Sequence, residues 1–217
     1  MIRIYGARWV PPMVQGLVRD LRLRWALEEA GLPYEETLLN REEWTGPEFR
    51  RIQPFGQLPA YEEDGLVLFE SGAIVLHVAR KSEVLLPNDP EAQAQVITWM
   101  FAALNTVEPP LQSFTMMDLF NGEEHWARLR RPAAIQAVER KLNDLSAWLE
   151  NRDHLAGSFS AADILMATVL RIPRHTNLVT SRPVLNAYLQ RCEARPAFRK
   201  ALANQMAGYK ANEPVPA

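Results

Sequence analysis

The chain has 217 residues, 47% apolar and 23% charged, and 24 Lys and Arg against 26 Asp and Glu leave a net charge of −2. That balance excludes a disordered or fibrous chain and gives no general cationic field for nucleic acid or an anionic membrane. No apolar run approaches the ~20 residues of a membrane span, and no basic stretch followed by an apolar run marks a signal peptide, so the expectation is a soluble, cytoplasmic protein with neither nucleic acid nor membrane as partner.

Ile2–Tyr5 reads as a first strand ending at Gly6. From Val14 to Ala30 the pattern is helical, with Leu17, Leu21 and Trp25 at three- and four-residue spacing. Gly31 and Pro33 close that helix. Tyr34–Leu39 is a second strand, and the strand-helix-strand order predicts a parallel βαβ unit. Asn40–Pro54 is polar, with Pro47 placed to start a short irregular helix. Leu58–Glu62 and Leu66–Phe69 flank Asp64-Gly65, a hairpin signal. Ser71 opens a helix that ends near Lys81, with Ile74, Val75 and Val78 on one face.

Pro-punctuated Val84–Pro90 reads as a linker, after which strand signals nearly vanish. Glu91–Leu111 is helical with a break expected at Pro109-Pro110, and Glu123–Glu150 is a second long helix. Ser160–Asp163 is a capping-box variant before Ile164, Leu165 and Val169. Pro183–Ala194 and Pro196–Met206 give two more helices, and Pro214–Ala217 reads as a frayed tail. The expected fold class is α/β plus all-α. A βαβ-ββα domain over 1–81 is followed by a linker over 82–90 and an all-helical domain over 91–217.

The segment that carries chemistry is Gln53-Pro54-Phe55-Gly56-Gln57-Leu58-Pro59-Ala60-Tyr61, with Glu70-Ser71-Gly72-Ala73-Ile74 beyond it. A strand that starts at a proline is unusual, because proline donates nothing to the ladder. A cis Leu58–Pro59 bond accounts for it, and would turn the Leu58 main chain outward to pair with a peptide backbone. Ser71 at a helix N-terminus offers a hydroxyl and N–H groups to a carboxylate. Glu70 beside it suits an ammonium. Together these describe a pocket for a small, extended, zwitterionic peptide.

On these residues the chain resembles the cytosolic glutathione transferase superfamily, of bacterial type with an atypical N-terminal active-site loop. The resemblance also rests on Trp25–Tyr34, Leu68–Ile74, Phe159–Asp163 and Arg195–Phe198, in order and at normal spacing. It implies a thioredoxin-like N-terminal domain, a helical C-terminal domain and a homodimer, with Phe55 where an aromatic often enters the partner. Leu58 and cis-Pro59 would pair with the cysteinyl backbone of glutathione. Glu70 and Ser71 would hold its γ-glutamyl end, and Gln57 would reach toward its glycyl end.

The family usually activates the thiol with a Ser, Cys or Tyr near the end of the first strand or the start of the first helix. Residues 1–36 contain no Ser, Thr or Cys. Counting back from Trp25 places Asp20 in that region. A carboxylate beside a thiolate raises the thiol pKa, so Asp20 is expected to pair with an arginine instead. Two sources of activation remain. Tyr5, the only hydroxyl near the right place, is the catalytic candidate, and Tyr5→Phe is expected to lower conjugation at least tenfold. The alternative is the backbone N–H groups of the Pro11–Gly16 segment, aided by Arg8 or Arg19.

Trp9 is expected to wall an electrophile pocket with Phe101, Leu104, Asn105 and Glu108. His77, His125, His154 and His175 lack metal-ligand spacing, so no metal is expected. Cys192, the only cysteine, reads as a structural thiol. The reading is a glutathione transferase-like enzyme directing the thiolate of its co-substrate glutathione at a small apolar electrophile. A glutathione-dependent isomerase or dehalogenase on the same scaffold is one alternative. A non-catalytic glutathione-binding or interaction module is the other.

Overall fold

A computed structural model describes residues 1–214. Most of the expected frayed tail, residues 215–217, lies outside the described residues. The chain forms two compact units. One comprises Met1–Leu85 and the chain from Arg195 onward, and the other Leu86–Ala194. The last helix therefore groups with the N-terminal part of the chain, although the sequence reading runs the second domain to the end. Helix periodicity reports an apolar stripe without naming the surface that buries it.

In the first unit, β1 (Ile2–Ala7), β2 (Tyr34–Leu39), β3 (Ala60–Glu63) and β4 (Leu66–Phe69) form one sheet in the order β2-β1-β3-β4. β1 and β2 are parallel, joined by α1 (Asp20–Ala30), as the βαβ pattern requires. β3 is antiparallel to both β1 and β4. The β3–β4 turn takes positive φ at Asp64 (48°) and Gly65 (88°), the geometry that an Asp-Gly hairpin predicts. Thioredoxin-like connectivity is completed by α3 (Ser71–Ala79). Between β2 and β3 lie α2 (Arg41–Thr45) and a 3-10 turn at Phe49–Arg51. A reciprocal Asn40–Glu43 capping box starts α2, and the 3-10 turn at Phe49–Arg51, with Glu48 at its N-cap position, is the short irregular helix that follows Pro47.

The first helix begins at Asp20, six residues later than its apolar spacing suggests. Pro11 and Pro12 set a single 3-10 turn at Pro12–Val14, and Gly16 then takes φ +75°, which a right-handed helix does not contain. Leu21, Leu23, Trp25 and Leu27 are buried on α1. α9 (Pro196–Ala211) covers it, with the Phe198 ring edge-on to Trp25 at 4.8 Å between centroids. Arg195 Nη2 binds Glu29 Oε2 of α1 at 2.7 Å as one arm of a two-point ion pair.

The second unit is helical. α4 (Pro90–Phe101) runs into a π-helix at Ala102–Val107 and then into α5 (Glu108–Asn121). The expected break at Pro109-Pro110 does not occur. The π-helix takes up the irregularity, and both prolines fall in the first turn of α5, where a missing N–H costs least. α6 (His125–Leu149) follows. α7 (Ala161–Leu170), buried along its whole length, starts at the predicted Ser160–Asp163 box, and α8 (Pro183–Glu193) carries the buried Cys192. No described helix is long and apolar enough to cross a membrane.

Candidate functional site

Strand register gathers the site at one end of the sheet. Ala60 lies opposite both Tyr5 of β1 and Phe69 of β4. Pro59 and Glu70, each one residue beyond that pair, therefore emerge side by side, next to the end of β1. The Leu58–Pro59 bond is cis. Because β3 begins at Ala60, the Leu58 main chain stands outside the ladder. Gln53, 2% exposed, shapes the approach: its Oε1 accepts the N–H groups of Phe55 at 2.8 Å and Gln57 at 3.0 Å. Gln57 is exposed, Leu58 half-buried and Pro59 buried.

Glu70 adopts φ +67°, ψ 112°, outside the regions ordinary L residues favour. Such a conformation costs on the order of 1–3 kcal/mol and persists where the surroundings over-determine it. Here the end of β4 on one side and the first turn of α3 on the other do so, leaving the Glu70 side chain exposed. Ser71, the first residue of α3, is buried beside it, and its Oγ accepts Arg22 Nη1 at 3.1 Å. That bond ties the first turn of α3 to the first turn of α1. The sequence reading missed Arg22, although a charged residue inside the apolar run Leu21-Arg22-Leu23-Arg24-Trp25 is the available signal.

Tyr5 is placed differently. Gly6 faces α1, since a Cβ there would lie 2.9 Å from Asp20 Oδ2. Alternation along the strand sends Tyr5 to the opposite face, where its ring packs edge-on to Phe49 at 5.5 Å between centroids. Its hydroxyl donates to Glu62 Oε2 at 2.8 Å. Glu62 pairs with Arg3, two residues back from the site end of the sheet. The hydroxyl thus points away from Pro59, Glu70 and Ser71. Burial, with the Glu62 carboxylate beside it, pushes the phenol pKa up.

Asp20 is fully buried and pairs with an arginine, as expected: Arg24 Nε reaches its Oδ2 at 2.8 Å. Burial pushes the carboxyl up against the pull of Arg24 and Gln205. Arg24, which burial alone would lower, is held above its usual value by Asp20 and by Glu36 of β2. The guanidinium stays charged and opposes the rise that burial imposes on the Asp20 carboxyl. Of the electrophile-pocket residues, Trp9 is half-buried in the loop after β1 of the first unit. The other four belong to the second unit. Phe101 is 58% exposed at the end of α4, Leu104 and Asn105 lie in the π-helix, and Glu108 is buried at the head of α5.

Residues 14–80 match the glutathione S-transferase N-terminal domain and residues 128–196 its C-terminal domain. Over 212 residues the chain is 32% identical to glutathione S-transferase 4 of Zea mays, covering 92% of this chain and 91% of that one. The chain belongs to the glutathione S-transferase family. Among solved structures it is similar to glutathione transferase F7 from Populus trichocarpa, with a TM-score of 0.80, 25% identity and coverage of 95% and 99%. It is also similar to a glutathione transferase from Burkholderia graminis, with two glutathione molecules bound per subunit, at a TM-score of 0.81 and 27% identity over 93% of this chain and 87% of that one. Over 162 residues it is 34% identical to human elongation factor 1-gamma, spanning 72% of this chain but only 36% of that protein.

Proposed function

We propose that the chain binds glutathione at the site end of the sheet and delivers its thiolate to a small apolar electrophile. The observation that carries this reading is the pairing of Ala60 with Phe69, which sets the Leu58–Pro59 main chain beside Glu70 and Ser71. Leu58 pairs with the cysteinyl backbone, and Ser71 with the first N–H groups of α3 receives the γ-glutamyl carboxylate. Glu70 takes the ammonium, and Gln57 faces the glycyl end. Arg22 donates to the Ser71 oxygen, so the Ser71 proton is left for the ligand carboxylate.

Thiolate stabilisation is assigned to the Arg8–Arg19 segment, through main-chain N–H groups and the start of α1, rather than to Tyr5. What supports this is the direction of the Tyr5 hydroxyl, away from Ser71 and onto Glu62. Rate then comes from a lowered thiol pKa and from holding both reactants together. The exposed Phe55, 62% accessible at the loop before β3, is proposed as a contact in a homodimer.

Isothermal titration with glutathione, followed by conjugation of a chlorinated nitroarene, tests the reading; no binding overturns it. A second reading is favoured by one observation: residues 1–36 hold no Ser, Thr or Cys and their Tyr5 hydroxyl is turned away. On that reading the protein binds glutathione without ionising it. Glutathione binding without thiolate absorbance would establish it.

A further inference from the structure

The last helix reaches back to the start of α1. Gln205 of α9, 2% exposed, donates through Nε2 to the Val18 carbonyl at 3.3 Å and to Asp20 Oδ1 at 2.8 Å. Its Oε1 has no hydrogen-bond partner among the described residues, so donation alone holds the side chain. The second Asp20 oxygen takes Arg24 Nε at 2.8 Å and lies against Gly6 of β1. Arg24 continues to Glu36 on β2. One buried carboxylate therefore meets the end of β1, the first turns of α1 and a residue 185 positions away on α9. The Arg8–Arg19 segment is strung between the first two of these.

The chemistry of an amide suits this place. It satisfies the carboxylate without adding a second positive charge beside Arg24, and its other hydrogen pins the Val18 carbonyl. That carbonyl also accepts the Leu21 N–H at 3.0 Å. A peptide unit is planar, so fixing the Val18 C=O fixes the antiparallel Arg19 N–H. The direction of the last main-chain donor before α1 is thus set by α9.

We propose that Gln205 is a positioning residue for glutathione activation: by holding the Val18 carbonyl and Asp20 it aims the donors at the start of α1 that stabilise the bound thiolate. This rests on the functional reading above. The test is Gln205→Met, which keeps length and burial and removes both donors. Thiolate absorbance of bound glutathione, followed against pH, should titrate higher. Turnover below that pKa should fall about three- to tenfold, since one pKa unit is a factor of ten, with glutathione KM moving less than about twofold. Amide exchange at Leu21 and Arg22 should speed up while the sheet amides stay protected. Gln205→Asn, one methylene short, should act in the same direction. Asn204→Ala, next door on α9, should leave the titration unchanged.

A folded Gln205→Met protein with unaltered titration and unaltered exchange overturns the proposal. So does failure of both Gln205 variants to fold, which would make the residue purely structural. Wild-type protein that binds no glutathione overturns the functional reading instead, and the exchange measurement still reports on the Gln205 clamp.

Discussion

Arg22 Nη1 donates to the Ser71 hydroxyl oxygen at 3.1 Å, with 3% and 5% of the two residues exposed. The bond joins the first turn of α1 to the first turn of α3. It leaves Ser71 one proton to give and sets a positive charge behind it. Ser71→Ala should weaken glutathione binding by about 1.5–3 kcal/mol, roughly ten- to hundredfold, as expected for a hydrogen bond to a charged group. Arg22→Met should weaken it at least as much, because it removes both the orienting donor and the charge. Calorimetric titration measures both, and equal affinity for all three proteins would show that the carboxylate docks elsewhere.

Tyr5→Phe removes a hydroxyl whose partner is Glu62, on the face opposite α1. The proposed assignment of thiolate stabilisation to the Arg8–Arg19 segment predicts an outcome different from the tenfold loss of conjugation expected from the sequence. Turnover should stay within about twofold, and stability should drop by about 1 kcal/mol for the lost hydrogen bond. Steady-state rates and urea midpoints separate the two; a large fall in kcat at unchanged stability would return the catalytic role to Tyr5.

Glu63 should govern part of the acid stability of the first unit. Hydrogen bonds from Lys81 and His77, with Tyr61 also donating to the carboxylate, hold its pKa down at about 2, against 4.5 unperturbed. A depressed carboxyl stabilises the fold above its unfolded pKa and loses that contribution as pH falls through the folded one. The advantage of wild type over Glu63→Gln should therefore be complete at neutral pH and shrink between pH 4.5 and about 2. Denaturant midpoints taken down that range check it, and a constant gap would contradict the pairing.

Asp163 of α7 is fully buried and accepts four donors. These are Ser160 N at 2.9 Å, Ser160 Oγ at 3.2 Å, Leu155 N at 3.1 Å and Tyr188 Oη at 2.9 Å. Asp163→Ala leaves them unsatisfied in the core, at about 1–3 kcal/mol per orphaned group, and should lower stability by at least about 3 kcal/mol. Asp163→Asn, which keeps one acceptor oxygen, should cost less. A Ser160→Ala variant close to wild type beside a severely destabilised Asp163→Ala would show that the carboxylate, rather than the cap alone, organises this region.

Gly6→Ala tests how tightly the Asp20 clamp holds. The added Cβ would meet Asp20 Oδ2 at 2.9 Å and Arg24 Nη2 at 3.3 Å, both on buried, mutually bonded side chains that have little room to move. Overpacking of this kind costs about 1–3 kcal/mol. A melting temperature equal to wild type would mean that the carboxylate yields.

Much of the fold was legible because its signals are local. Asp64-Gly65, Gly31 and Ser160–Asp163 each specify a turn or cap from their own side-chain chemistry, and the structure uses all three. Leu58-Pro59 with Glu70-Ser71 marked the candidate peptide pocket for the same reason. The late start of α1 and the uninterrupted run through Pro109-Pro110 were not legible. Apolar spacing cannot register a left-handed Gly16 or a π-helix that absorbs the prolines.

By itself the sequence determined most of the secondary elements, the parallel βαβ unit, the pairing of Asp20 with an arginine and the residues proposed here to hold the peptide. All of these follow from residues close in the chain or from periodicity along one element. The tertiary structure alone decided which face of β1 carries Tyr5, that Arg22 reaches Ser71, and that Gln205 closes over Val18 and Asp20. Those outcomes depend on strand register and on which helix covers which stripe, relations between distant segments that no local spacing encodes.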